Sequence, residues 1–352
     1  MDNAAPPPPG APARRRVTAA MVAEHAGVST ATVSLVANGK SAGRVSAAND
    51  ERVRAAIREL GYVVDGIGSS LSRGVSSTVI LVAPDISNPF FARVIAGVRS
   101  ALGDDYQLLL SVTDAGRFPS AAETRRLLSL RPAGLLVDAP DEAFLEELSA
   151  TGPVVLLDAP GVGDHLPAVD MDVAGGAREL AAHLAAQGHH RVAYVDGITG
   201  TATFALRRRA FLDEAALRGM EVPSAAQVAT TIDVGSAAAS FAAAWPQWHR
   251  AGITAVACAT DTHAYGILQE ARVEGLSIPG ELAVAGFDDL PYSRTSNPAL
   301  TSVSLPADEL GRRAAGQLRR LMEGHALDVP RLILSSSLVV RGSTVATGDP
   351  AP

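Results

Sequence analysis

The segment from Val17 to Asn38, VTAAMVAEHAGVSTATVSLVAN, constrains this chain more than any other stretch. Thr18 to Ala26 reads as a first amphipathic helix, broken at Gly27, which tolerates the positive φ that a tight turn between helices demands. Ser29 stands where an N-cap belongs and opens a second short helix from Thr30 to about Ala37. Val22, Ala23, Ala26, Val28, Val33 and Val36 recur at helical spacing, so both helices have a face to bury. Two readings fit this punctuation. One is an ordinary helical hairpin with a glycine turn; the other is a helix-turn-helix, whose second helix enters the major groove of DNA.

At 352 residues the chain has room for two or three domains, and 47% apolar with 19% charged residues exclude a disordered chain. The net charge of −7 argues against a nucleic-acid partner until its distribution is considered. Residues 1–74 carry nine Arg/Lys against six Asp/Glu, about +3, leaving about −10 for the remainder. That split suits a small nucleic-acid reader on an acidic body. The single cysteine, Cys258, excludes an intrachain disulfide and sits in the apolar run AVACA, where a buried strand is the simplest reading. The start, MDNAAPPPPGAPARRR, has no apolar core of the kind a signal peptide needs, and no run reaches membrane-spanning length. A cytoplasmic protein is expected. Residues 1–16 read as a disordered tail, with Arg14 to Arg16 either reaching phosphates or simply solvated.

A third helix is expected from Asn49 to Leu60, capped by Ser46 and stopped at Gly61, completing a head over residues 17–62. Residues 63–77, Gly/Ser-rich, read as a linker. From Thr78 apolar runs such as TVILVAP, QLLLSV, GLLVD and PVVLLD alternate with amphipathic helical segments, and after Gly175 the pattern starts again. Runs of this kind mark parallel strands covered on both faces. The expected fold is a small all-α head followed by an α/β two-lobed core over residues 78–345, with a ligand cleft beyond the carboxyl ends of the strands. Residues 346–352 form a short tail.

VAEHAGVSTATVS, ERVRAAIRELGY, PDISNPFFARVIAGV, GHHRVAYVDG, TDTHAYGIL, IPGELAVAGFDDLPYSRTSNPALTSV and LILSSSLVVRGST occur in this order. Together they resemble the LacI–GalR family of bacterial transcriptional repressors over about residues 17–345. The resemblance implies a periplasmic-binding-protein-like core in which the chain crosses between lobes three times. It places lobe 1 at about 78–170 and 303–326, and lobe 2 at about 171–302 and 327–345. It also implies a homodimer, or a further pairing of dimers, on a pseudo-palindromic double-stranded DNA operator. The small effector in the cleft would be a sugar, sugar phosphate or nucleoside. No cofactor, metal or membrane is implied.

For DNA contact the resemblance points to Thr18, Ser29, Thr30, Ala31, Thr32, Ser34, Leu35, Asn38 and Arg44. Leu71 occupies the position from which most relatives push an apolar side chain into the minor groove. Two departures stand out. Relatives commonly present polar readers and an Arg on the second helix, whereas Ala31 and Leu35 can make only apolar contacts, for example with a thymine methyl. Relatives usually carry a Pro-Asn pair in the linker; Val64, Asp65, Gly66 and Gly68 replace that pattern here, and each glycine costs a helix about 1 kcal/mol.

For the effector the resemblance points to Asn88, Phe90, Phe91, Asp138 and Asp158 in the first lobe, and to Arg207, Asp261, Phe287 and Asp288 in the second. Aromatic faces stack on rings, while carboxylates and a guanidinium fix hydroxyls or a carbonyl. Each of the aspartates also suits a turn or cap. The arginine that often clamps hydroxyls, two positions before Arg207, is Ala205. An enzyme is disfavoured: the chain has no GxSxG, P-loop, CxxC or HExxH. A small-molecule-binding protein or an activator with the same fold are the rivals.

Overall fold

A computed structural model of the chain describes residues 17–62, 76–84, 86, 88–113, 117, 119–148 and 152–345. Leu71 lies outside these residues, as do the expected tails at 1–16 and 346–352 and most of the linker. The chain divides after Ser76 into two compact units.

The head holds α1 (Ala19–Ala26), α2 (Thr30–Ala37) and α3 (Ala47–Leu60). Each begins on a hydroxyl cap: Thr18, Ser29 and Ser46 accept hydrogen bonds from the backbone N–H of Met21, Thr32 and Asn49. Gly27 ends α1 at φ 63°, and the Val28 N–H returns to the Ala23 carbonyl at 3.0 Å. This is a left-handed C-terminal stop that residues with a Cβ rarely adopt. The six apolar positions expected to face inward do so, joined by Val53 and Ala56 of α3. Val22, Val33 and Val53 are fully buried, and each contributes about 1.5–3 kcal/mol through burial. Three short helices too brief to persist alone thus share one core.

The second unit contains two six-stranded sheets. The first is built from β1 (Thr78–Pro84), β2 (Gln107–Thr113), β3 (Gly134–Asp138), β4 (Val154–Leu157), β5 (Ala168–Met171) and β11 (Arg331–Leu334), in the order β2-β1-β3-β4-β5-β11. The second is built from β6 (Val192–Gly197), β7 (Gln227–Thr230), β8 (Ala255–Cys258), β9 (Ala283–Asp288), β10 (Thr301–Ser304) and β12 (Ser337–Val339), in the order β7-β6-β8-β9-β10-β12. All pairings are parallel except β10 with β12. Every residue of β3, β4, β5, β8 and β9 is buried, as parallel strands sandwiched by helices must be.

Eight helices of this unit cover the sheets: α4 (Phe90–Leu102), α5 (Ala121–Ser129), α6 (Glu142–Leu148), α7 (Val173–Ala186), α8 (Ala202–Leu217), α9 (Val234–Arg250), α10 (Asp261–Val273) and α11 (Ala307–Met322). Helices α4 and α11 cross at Gly97 and Gly311, where a Cβ on either would come under 3.0 Å from the other helix's backbone carbonyl oxygen. Only glycine permits that approach.

The chain passes between sheets three times, after β5, after β10 and between β11 and β12. The expectation that 327–345 belongs wholly to lobe 2 fails at Arg331–Leu334, which pairs with Ala168–Met171 in the first sheet. The third passage lies inside the apolar run LILSSSLVV, and only Ser337–Val339 reaches the second sheet. Likewise Val303 and Ser304 complete β10 of the second sheet, so the second passage falls after Ser304 rather than before residue 303. The first and third passages are tied together. The Asp172 N–H donates to the Leu334 carbonyl at 2.8 Å, and Ser336 Oγ donates to the Asp172 carbonyl at 2.7 Å. No described helix is long and apolar enough to cross a membrane.

Candidate functional site

In the head, α2 presents Thr30, Ala31 and Ser34 to solvent, with Leu35 half-buried and apart from the side chains packed on the core. Thr18 and Ser29 are held as caps, and Ser29 Oγ also bonds Thr32 Oγ1 at 2.9 Å. The Asn38 amide donates to the Ser34 carbonyl at 2.7 Å, which fixes it against its own helix. Lys40 and Arg44 are exposed, and neither forms an ion pair among the described residues. The arrangement offers an exposed, almost uncharged helix face with two free cations in the loop after it. Phosphate attraction and apolar or hydroxyl contacts to base edges are the interactions such a surface can make.

The core's cleft lies at the carboxyl ends of both sheets and encloses about 670 Å³ of empty space, its mouth included. Topology dictates this position, because ligands sit where strand order reverses. From the first lobe come Asn88, Phe90, Phe91, Asp138, Ala139, Asp158 and Met171; from the second come Thr199, Thr201, Thr203, Phe204, Arg207, Ile232, Thr260 and Asp288. Leu305 joins them from the second passage. Ala139, Asp158 and Asp288 have φ of 42°, 49° and 112°, strained for residues with a Cβ. Such strain costs about 1–3 kcal/mol per residue and concentrates where a fold positions side chains for use.

Among the described residues two hydrogen bonds cross the cleft. Asn88 Nδ2 donates to Asp288 Oδ2 at 3.3 Å, and Thr203 Oγ1 donates to Asp158 Oδ1 at 3.0 Å. Asn88 is itself held by the Phe90 N–H at 3.0 Å. Arg207, only 3% exposed, donates to the Ala259 carbonyl, and its guanidinium carbon lies 3.9 Å from the Phe287 ring centroid and 4.8 Å from that of Phe204. Its Nε and Asp138 Oδ1 are buried without a hydrogen-bond partner. Burial raises all three cleft carboxyls. Asp158 reaches about 6 and Asp288 about 8, in both cases opposed by the Arg207 charge. Asp138 is pushed well above its ordinary range by burial and then by the charge of Asp158.

Seven of the nine expected effector residues therefore meet in one cavity; Asp261 and Phe287 do not line it. Asp261 is fully buried at the start of α10 and turns inward, accepting from the Leu290 N–H at 2.7 Å and from Ser293 Oγ and Ser302 Oγ at 2.5 Å each. It organises the loop after β9. Phe287 stays out of the cavity lining and instead supports the Arg207 guanidinium with its ring, whose centroid lies 3.9 Å from the guanidinium carbon. The expectations missed Thr199, Thr201 and Thr203, which flank the start of α8 in the run GITGTATF. Closely spaced threonines after a buried strand were the available signal. His189 and His190 follow the turn at Gln187 and Gly188, and no group of His, Cys, Asp and Glu among the described residues is placed to hold a metal.

Residues 18–65 match the bacterial regulatory proteins of the lacI family, and residues 181–344 match a periplasmic binding protein-like domain. Over 344 residues the chain is 30% identical to the HTH-type transcriptional repressor CytR of Escherichia coli (strain K12), covering 95% of this chain and 99% of that protein. Among solved structures, the lac repressor dimer bound to operator and the anti-inducer ONPF gives a TM-score of 0.77 at 26% identity, over 94% of this chain and 100% of that one. A complex of the transcriptional regulator CelR with cellobiose gives 0.68 at 29% identity, over 93% and 100%. A capped helix-turn-helix head, two mostly parallel sheets joined by three passages and relatives matched along their whole length place this chain in the LacI family of DNA-binding transcriptional regulators.

Proposed function

We propose that this protein represses transcription as a homodimer on a pseudo-palindromic operator, and that a small sugar-like or nucleoside-like effector in the cleft controls its grip. The observation that carries this reading is the cleft itself, whose walls come from both lobes of a chain that also bears a reading head. A ligand touching Asp138 and Asp158 on one side and Arg207 and Asp288 on the other stabilises one arrangement of the lobes over another. It can shift that equilibrium only by its difference in affinity for the two. The tied first and third passages supply a pivot, since hydrogen bonds join Asp172 to both Leu334 and Ser336.

On DNA, Arg44 and Lys40 contact phosphates, while Thr30, Ala31, Ser34 and Leu35 meet base edges. Operator choice then rests on methyl contacts, phosphates and duplex shape more than on bidentate hydrogen bonds. The protein acts in the cytoplasm without catalysing a reaction. Selection of bound duplexes from random DNA tests the first half: an enriched two-fold site is expected, and retention of DNA without sequence preference refutes it. A thermal-shift screen followed by operator binding with each hit tests the second half. A hit that leaves operator affinity unchanged refutes effector control.

A further inference from the structure

Helix α11 carries two glycines, and the fold explains only one of them. Gly311 lets α11 cross α4, whereas a Cβ on Gly316 would meet nothing within 4 Å beyond the local helix. Glycine weakens a helix relative to alanine, so this open position has no reason within the chain to lack a side chain. Gly316 lines a surface groove of about 1300 Å³, its open side included. Ser100 and Ala101 at the end of α4, with Leu327, Val329 and Leu332 after α11, give the groove small and apolar walls. Val329 is 54% exposed, and its carbonyl accepts from Gln317 Nε2 at 3.0 Å, which holds that wall against the helix. Arg312 and Arg313 precede Gly316, and Arg319 and Arg320 follow it, so the two pairs stand seven residues apart, about 10.5 Å along α11. Asp328 is the single carboxylate among the described lining residues. All four arginines have half-exposed side chains and share three acids: Glu309 serves Arg312 and Arg313, Glu323 lies 3.5 Å from Arg319, and Asp328 lies 3.6 Å from Arg320. Exposed pairs of this kind hold weakly and exchange partners readily.

We infer that this groove docks an acidic amphipathic helix of a second protein. Carboxylates two turns apart on that helix pair with Arg312 and Arg313 at one end and with Arg319 and Arg320 at the other. Small or apolar residues between them pack on Gly316, Leu327 and Val329. The missing side chain lets a helix backbone come close to α11, as Gly97 and Gly311 do where α4 crosses it. Charge complementarity selects an acidic occupant. The apolar wall selects protein over the phosphate backbone of DNA, which would leave Leu327, Val329 and Leu332 uncovered. The groove shares no lining residue with the cleft, so docking stands apart from effector binding.

Selection of a displayed library of amphipathic helices on the full-length protein tests this. Enriched helices are expected to carry Asp or Glu pairs seven residues apart around a small, apolar centre. As synthetic peptides they should bind at least about tenfold more weakly to Gly316→Leu and to the double variant Arg312→Glu/Arg320→Glu. Operator binding by both variants is expected to be unchanged, which reports that they fold. Gly316→Ala should raise the unfolding temperature of the core, because its Cβ meets nothing. A fall would mark the glycine as structural and overturn the inference. So would enrichment without acidic preference, no enrichment at all, or peptide binding that Gly316→Leu leaves intact. Weaker binding of a non-operator duplex by the arginine variant would assign the groove to nucleic acid and overturn it as well.

Discussion

Asp138 and Asp261 are both buried carboxyls at the carboxyl end of a strand or the turn beyond it, yet they should respond oppositely to removal. Asp261→Ala deprives the Leu290 N–H and the hydroxyls of Ser293 and Ser302 of their acceptor. A buried donor left unpaired costs about 1–3 kcal/mol. The two hydroxyls recover part of that by rotating, since Ser293 Oγ also lies 2.7 Å from the Tyr265 hydroxyl. The expected net loss is about 3–5 kcal/mol, the range found when one member of a buried charged network is removed. Asp138→Ala deletes a carboxyl with an unpartnered buried oxygen, which contributes nothing to folding and costs desolvation. Its stability should change by less than about 1 kcal/mol, or rise, while effector binding falls.

Urea unfolding of the full-length protein at one fixed concentration measures both variants, because dimerisation makes stability concentration-dependent. Trp245 and Trp248, the chain's two tryptophans, are both buried on α9 against α10, the helix that Asp261 opens. Their fluorescence therefore follows the lobe that Asp261 stabilises, and far-UV circular dichroism follows the rest. A loss below about 1 kcal/mol for Asp261→Ala, or equal losses for the two variants, would refute the division into structural and ligand-facing aspartates.

Ser29→Ala removes the cap of α2 and should cost the head about 1 kcal/mol, seen as weaker operator binding with unchanged unfolding of the core. Leu35→Arg should change the preferred operator base beneath it in a duplex-selection experiment; an unchanged preference would show that Leu35 reads nothing. Gly311→Ala should lower core stability by about 1–3 kcal/mol in denaturant, because the added Cβ meets the α4 backbone. Raising the pH should also destabilise the core. Burial lifts Asp261 to about 7 and Asp288 to about 8, so the native state holds protons that the unfolded chain has released. Their contribution is complete below about pH 4 and is lost as pH rises through these values, which amounts to roughly 2–4 kcal/mol between about pH 6.5 and 8. The depressed histidines His183, His189 and His263 act below that window. Denaturant midpoints that rise with pH there would contradict it.

Much of the fold was legible because local signals coincide. The cap at Ser29, the stop at Gly27 and the apolar spacing between them agree on one structure, and α2 matches its expected bounds. Strands such as Thr78–Pro84 and Gly134–Asp138 stood out as unbroken apolar runs. What escaped was long-range. The run LILSSSLVV gives no sign that the chain leaves one sheet and joins the other within it. The four residues of β5 are too few to register, and α11 opens on Pro306 without a side-chain cap to announce it. In the cleft, residue type identified the carboxylates but not their direction. Asp261 and Asp288 look alike in sequence, and only the tertiary turn after β9 sends one inward and the other to the cavity.

The three passages also govern how the molecule comes into being. Neither lobe is continuous: the first requires α11 and β11, and the second requires β12, all supplied after residue 306. During synthesis β5 waits as a raw sheet edge for β11, and β10 waits for β12. Strands of this kind are open to pairing with the wrong chain until covered. The last stretch of the core to leave the ribosome therefore closes both halves together. A nascent chain halted before Arg331 would hold two unfinished sheets rather than one finished lobe and one missing.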